Sequence, residues 1–190
     1  MTAASDLMTA EELLIYPSHG QRTELVAGRL VVREPAGYLH GRIASRVHAR
    51  LTAFLEADQL ARAAPHPLGE ALAAETGFTL QRSPDTVRAP DVAFVAWHRR
   101  PTETRGFAEL APDLAVEVLS PGDRPGDVLA KVADWLDAGT EVVWVIDPER
   151  REARVYPADG NASILPECDA LDGGSTLPGF TLPLAKLFEP

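Results

Sequence analysis

Two acids stand where acids are costly. Asp91 opens the apolar run of APDVAFVAW, and Glu117 lies inside that of APDLAVEVL. A carboxylate removed from water is strongly destabilising unless something pairs with it. Strand alternation puts Asp91 on one face with Ala93, Val95 and Trp97, and Glu117 with Asp113, Ala115 and Leu119. The alanines leave room beside each acid. If the two strands are neighbours, the carboxylates converge, and a proton or a cation must offset their repulsion. A site built of oxygens suits Mg²⁺ or Mn²⁺.

Two further residues bear on this pair. Folding 75–81 back on 87–97 through the turn near Pro84 brings Glu75 toward the partner position of Asp91. A one-residue slip would turn it away, and a solvated acid at a strand start is the simpler alternative. Lys131 falls in the helix after Glu117, on the flank of its apolar stripe. A long side chain there can reach over the sheet edge. Equally, Asp127 and Asp134 stand one turn away, and surface acid–lysine pairs at that spacing are common.

The elements that must position these groups follow from periodicity. Thr9 and Glu12 have capping-box spacing, which opens a short helix through about Ile15. TELVAGRLVVRE reads as two strands around an Ala27-Gly28 turn. From His40 to about Ala57, apolar residues at 43, 47, 51, 54 and 55 mark an amphipathic helix. GFTLQ, VRAPDVAFVAW and DLAVEVL read as strands. A helix from about Gly126 to Ala138 buries Val128, Leu129, Val132, Trp135 and Leu136, with Gly139 as its C-terminal stop. EVVWVID is apolar on both faces and so central, with EARVYP beside it. The tail is rich in turn residues and closes on a short helix in LPLAKLF. The expected fold is a single α/β domain over residues 1–190, with a core of about 22–158 and an extension over 159–190.

Composition narrows the function. A net charge of −10 excludes a protein that coats nucleic acid indiscriminately, since that needs clustered Lys and Arg. A local basic surface is still available: residues 35–55 hold no acid, and Arg42, Arg46 and Arg50 form one helical stripe facing nucleic acid, a second subunit or solvent. No apolar run has the roughly 18 residues of a membrane helix. The opening MTAASDLMTAEELL lacks the basic and apolar regions of a leader, and Cys168 has no partner for an intramolecular disulfide, so a cytosolic location is expected.

RAPDVAFV, TELVAGRLVV and PDLAVEVLSPGDRPGDVLAKVADWLDAGTEVVWVIDP together resemble the Uma family, a branch of the PD-(D/E)XK nucleases typified by restriction enzymes. The resemblance runs from about Glu11 to the closing LPGFTLPLAKLF. It implies a restriction-endonuclease-like α/β fold, a mixed sheet flanked by helices, and metal-dependent hydrolysis of phosphodiester bonds. Asp91 and Glu117 would hold Mg²⁺, with the carbonyl of Val118 as a further ligand. Leu119 stands where the superfamily places its lysine, and Lys131 would take over that role from the following helix. Glu24 and His40 also match family positions, although the hairpin has Ala-Gly where Asp-Gly is usual. Ser120, followed by Pro-Gly, reads as turn chemistry, and the three tryptophans read as core. DNA is the expected partner, and a homodimer the expected state, because duplex cleavage needs two sites. The rival is a non-catalytic binding module that keeps a carboxylate ion site.

Overall fold

The computed structural model describes residues 7–74, 76–102 and 105–189. A capping box of Thr9 and Glu12 starts α1 (Ala10–Leu14). The hairpin follows as β1 (Arg22–Val26) and β2 (Arg29–Arg33), and α2 (Tyr38–Ala61) is longer than the periodicity suggests. Next come β3 (Gly69–Leu72), β4 (Phe78–Gln81), β5 (Thr86–Arg88) and β6 (Val92–Ala96). Then β7 (Leu114–Val118), α3 (Pro125–Asp137), β8 (Val142–Asp147) and β9 (Glu152–Pro157) complete the central part. The tail adds β10 (Ser163–Pro166), β11 (Ala170–Asp172), β12 (Thr181–Pro183) and α4 (Ala185–Phe188). No helix among the described residues is long and apolar enough to cross a membrane.

Among the described residues the larger sheet has the order β10-β9-β8-β7-β6-β3. Only β7 and β8 run parallel, joined by the α3 crossover, and β8 is interior as its two apolar faces require. Alternation sorts the side chains into two cores. Val92, Phe94, Leu114, Val116 and Val118 face α2, whose Ile43, Val47, Leu51 and Leu55 are buried against them. Ala93, Val95, Ala115, Val143 and Val145 face Val132 and Trp135 of α3. Ala93 lies directly opposite Ala115, so the space those small residues leave is filled by α3. Leu171, Phe180, Leu182 and Leu187 of the tail pack into the α2-side core. Leu129, expected inside, is half exposed, because α3 turns Lys131 inward instead.

The second sheet, β2-β1-β5-β4, is antiparallel throughout. VRAPDVAFV is therefore not one strand. Arg88 ends β5 in the small sheet, and Ala89-Pro90 carries the chain across to β6 in the large one. Proline explains the break, since it lacks an N–H for a ladder and biases Ala89 toward extended backbone. The β1–β2 turn has Ala27 at φ 49° and Gly28 at φ 75°, the left-handed pair of a type I′ hairpin. A Cβ on Gly28 would meet Leu7 Cβ at 2.6 Å, so glycine is required there for space as well.

Candidate active site

The acids meet at one end of the large sheet. Glu117 is near the carboxyl end of β7, and Asp91 immediately precedes β6, which runs antiparallel beside it. The two line a cleft of about 400 Å³ with Arg22, Arg33, His40 and Lys131. Glu117 keeps the strand parity and points toward α3. Asp91 departs from it: ahead of the first ladder pair, its carboxylate reaches α2 and β1 instead.

Each carboxylate has one oxygen held by an uncharged N–H and the other by charged or titratable nitrogen. Asp91 Oδ2 accepts from the Val118 amide at 2.7 Å, while Oδ1 is 2.9 Å from both Arg22 Nη2 and His40 Nε2. Glu117 Oε1 accepts from the Trp135 indole at 2.9 Å, and Oε2 accepts from Lys131 Nζ at 2.8 Å. These partners answer the cost of placing acids in core strands. The protein's own cations supply the pairing, so a metal is not needed to explain why the acids are tolerated.

Lys131 is buried, and it turns away from the surface pairing with Asp127 and Asp134 that its spacing allows. Its ammonium also donates to the Ala89 carbonyl at 3.1 Å and lies 3.2 Å from Glu24 Oε1. Glu24, from β1, accepts from the Ala89 amide and from Arg88 Nη1, both at 2.9 Å. The Ala89 segment where the chain changes sheets is thus clamped on one side by Glu24 and on the other by Lys131. Arg88 reaches outward to Asp134 of α3. His40 Nδ1 lies 3.2 Å from Ser120 Oγ.

Crowding of three acids sets the electrostatics. Burial pushes the Glu117 carboxyl up to about 7; Lys131 opposes this, but Asp91 and Glu24 repel a second negative charge. Burial also works against the ammonium of Lys131, yet Glu117, Glu24 and Asp91 hold it above the usual lysine range. Asp91 goes the other way: despite burial, His40, Lys131 and the Val118 amide keep it below the usual aspartate value. The Ser120 amide bonds Asp123 Oδ2 at 2.8 Å, the turn chemistry that the following Pro-Gly suggests.

The structure brings together Asp91, Glu117, Lys131, Glu24 and His40. It does not bring in the helical arginines. Arg46 donates to the carbonyls of Leu187 and Glu189, Arg50 is exposed, and none of Arg42, Arg46 and Arg50 lines the cleft. Glu75 lies outside the described residues, and β4 pairs with β5 and bridges to Ala108, rather than pairing with the strand that follows Asp91. Sequence reasoning missed Arg22, Arg88 and Trp135. A signal existed for two of them. Arg22 stands two residues before Glu24 on a strand, and Trp135 one helical turn after Lys131, so each pair shares a face.

Two principal sheets and the β11-β12 ribbon, with the acids and Lys131 meeting at one end of the larger sheet, give a mixed α/β protein. The Uma2 family model, described as "Putative restriction endonuclease", matches residues 10–185. The chain belongs to this family. A solved structure from Anabaena variabilis ATCC 29413, described as a putative nuclease belonging to DUF820, has the same fold at a TM-score of 0.79. It is 23% identical, over 95% of this chain and 97% of that one. No curated protein matches the chain.

Proposed function

We propose that this protein is a divalent-metal-dependent endonuclease that hydrolyses phosphodiester bonds of DNA, acting in the cytosol as a homodimer. The observation that carries this reading is the 2.8 Å contact of Lys131 with Glu117 in the cleft that Asp91 shares. The donor set fits Mg²⁺ or Mn²⁺, which are commonly held by one or two carboxylates with substrate phosphate and water completing the shell. Asp91 Oδ1 and Glu117 Oε2 are the oxygens that would hold it, with the carbonyl of Val118, a residue lining the same cleft, as a further ligand. Among the described residues no three His, Cys, Asp or Glu side chains are grouped so as to hold an ion by themselves. When bound, such an ion stabilises charge on the phosphoryl oxygens and acidifies water.

The chain's own residues do the rest. Lys131 places a compact positive charge beside Glu117, where negative charge builds on the phosphoryl group. Trp135 fixes the rotamer of Glu117 through the indole N–H, and the Val118 amide does the same for Asp91. His40, held by Ser120, orients Asp91 from the α2 side. Arg33, at the cleft and partly exposed, is placed to meet a backbone phosphate.

One observation favours the rival, a non-catalytic binding module: every oxygen of Asp91 and Glu117 already has a protein donor. Supercoiled plasmid incubated with the protein and Mn²⁺, Mg²⁺ or EDTA separates the two. Nicked and linear products are expected with metal alone, and Glu117→Gln and Asp91→Asn should abolish them. Intact plasmid under every condition would favour the binding module.

A further inference from the structure

Arg33 ends β2 and lines the cleft, yet it meets its charged neighbours only at a distance. Nη1 lies 3.6 Å from Asp123 Oδ1, and Nε lies 3.9 Å from Glu24 Oε2, both beyond hydrogen-bond length. Nε is buried without an acceptor. Each acid is held elsewhere by a shorter bond: Asp123 Oδ2 accepts from the Ser120 amide at 2.8 Å, and Glu24 Oε2 from Arg88 Nη1 at 2.9 Å. Neither closes on the guanidinium.

The contact of Arg33 with Asp123 runs between layers. Arg33 belongs to the small sheet and Asp123 to the turn between β7 and α3, and both line the cavity that holds Glu117 and Lys131. The two side chains are 33% and 27% exposed, so water screens their attraction and a better partner can replace it. A guanidinium presents its donors as a planar fork that matches two oxygens of one phosphate. A carboxylate 3.6 Å away, tethered by its other oxygen, uses none of that geometry.

We propose that Asp123 is a built-in stand-in for a substrate phosphate: it holds Arg33 by charge alone, and a phosphodiester of nucleic acid must displace it from Arg33 to enter the cleft. This rests on the nucleic-acid reading above, but not on a metal. It gives Asp123 an effect opposite in sign to structural damage. Loss of a supporting contact would weaken nucleic-acid binding, whereas loss of a competitor strengthens it.

The test is fluorescence anisotropy of a short labelled DNA duplex titrated with the full chain in EDTA, at fixed low salt. The same titrations in Ca²⁺ serve if binding needs an ion. Asp123→Asn keeps an acceptor for the Ser120 amide and should bind roughly threefold to fivefold more tightly than wild type, the scale of one exposed ion pair. Asp123→Ser also keeps an acceptor without the charge, and it guards against an asparagine that disturbs the turn. Arg33→Gln should bind more weakly, with a salt slope reduced by about one. Asp127→Asn removes the same charge from the same cleft and should change affinity less. The decisive comparison is Asp123→Asn in the Arg33→Gln background, where the gain should shrink to that of Asp127→Asn. A gain no larger than that control in both Asp123 variants, or one that survives without Arg33, overturns the inference alone. No binding by wild type and variants alike, in EDTA and in Ca²⁺, overturns it together with the nucleic-acid reading.

Discussion

Lys131 Nζ and Glu117 Oε2 lie 2.8 Å apart, joined across the crossover from β7 to α3. The superfamily's lysine two residues after the acid would rise from the same strand as Glu117, but that position is Leu119. Here the ammonium comes instead from the helix after the strand and reaches Glu117 from there.

Removing that charge should harm both fold and activity. Lys131→Met keeps the stem and leaves Glu117 and Glu24 facing each other without their shared cation. A broken buried pair costs about 3–5 kcal/mol, far above the tenths expected of a surface lysine. Plasmid cleavage should fall by roughly a hundredfold or more. Lys131→Arg should not restore it, because a planar fork cannot replace a point charge between three acceptors. Urea unfolding beside plasmid cleavage checks both; a variant as stable and active as wild type would refute the role.

The Glu117 carboxyl, pushed up to about 7, makes the metal-free fold pH-dependent in a definite direction. A carboxyl with a raised folded-state pKa binds its proton more tightly when folded than when unfolded. Its contribution is fully present below the unfolded value near 4.5 and is lost as pH rises to about 7 and beyond. Metal-free wild type should therefore lose melting temperature between pH 5 and pH 8 more steeply than Glu117→Gln. Parallel pH profiles for the two proteins would remove Glu117 as the source.

Arg88 should outweigh its outer partner. It is buried between Glu24 and Asp134, whose side chain is 31% exposed. Arg88→Met removes one of the two close cations of the buried Glu24, leaving Lys131, and should cost about 2–3 kcal/mol. Asp134→Asn removes only a half-screened partner and should cost under about 1 kcal/mol. Denaturant midpoints of the two variants rank them directly.

Ala27 is the weak point of the hairpin that delivers Arg22 and Glu24. Its φ of 49° is unfavourable for alanine and well tolerated by asparagine. Ala27→Asn should stabilise by about 0.5–1 kcal/mol, which for a chain of this size is a rise of about 2–4 °C in Tm. Cleavage should be unchanged.

The helical arginines divide by role. Arg46 anchors the carbonyls of Leu187 and Glu189, so Arg46→Gln should loosen α4, seen as faster amide exchange there. Replacing Arg42 and Arg50 by Gln tests the nucleic-acid role of the stripe. A flatter dependence of DNA affinity on salt is expected if they meet phosphates. Unchanged binding would leave the cleft arginines as the contacts.

Much of this was legible where periodicity and chemistry agreed. The capping box at Thr9, the amphipathic α2, the interior β8 and the terminal α4 all follow from local pattern, whereas the pairing of β6 with β7, which brings Asp91 beside Glu117, was left open by pattern and comes from the fold. Two limits were physical. Residues 87–97 look like one strand because hydrophobicity is continuous, yet the backbone changes sheet at Pro90, and no local signal names the sheet a strand joins. Lys131 illustrates the other limit. Spacing on a helix gives an angle, but whether a lysine at the edge of the apolar stripe goes in or out depends on what waits inside. Here three carboxylates were waiting. The short strands β3, β10, β11 and β12 pair with sequence-distant partners or in brief ribbons, below the length at which alternation can be read.

The sheet change at Ala89-Pro90 has a mechanical meaning. Arg22 and Glu24 ride on the small sheet, Glu117 belongs to the large one and Lys131 to the helix packed on it, so these ionic contacts also rivet two separate layers. Seam and proposed reaction centre coincide. Anything that redistributes charge in the cleft also changes the stiffness of the joint, and any force prying the layers apart is felt first by the acids. The molecule cannot tune its chemistry and its rigidity separately.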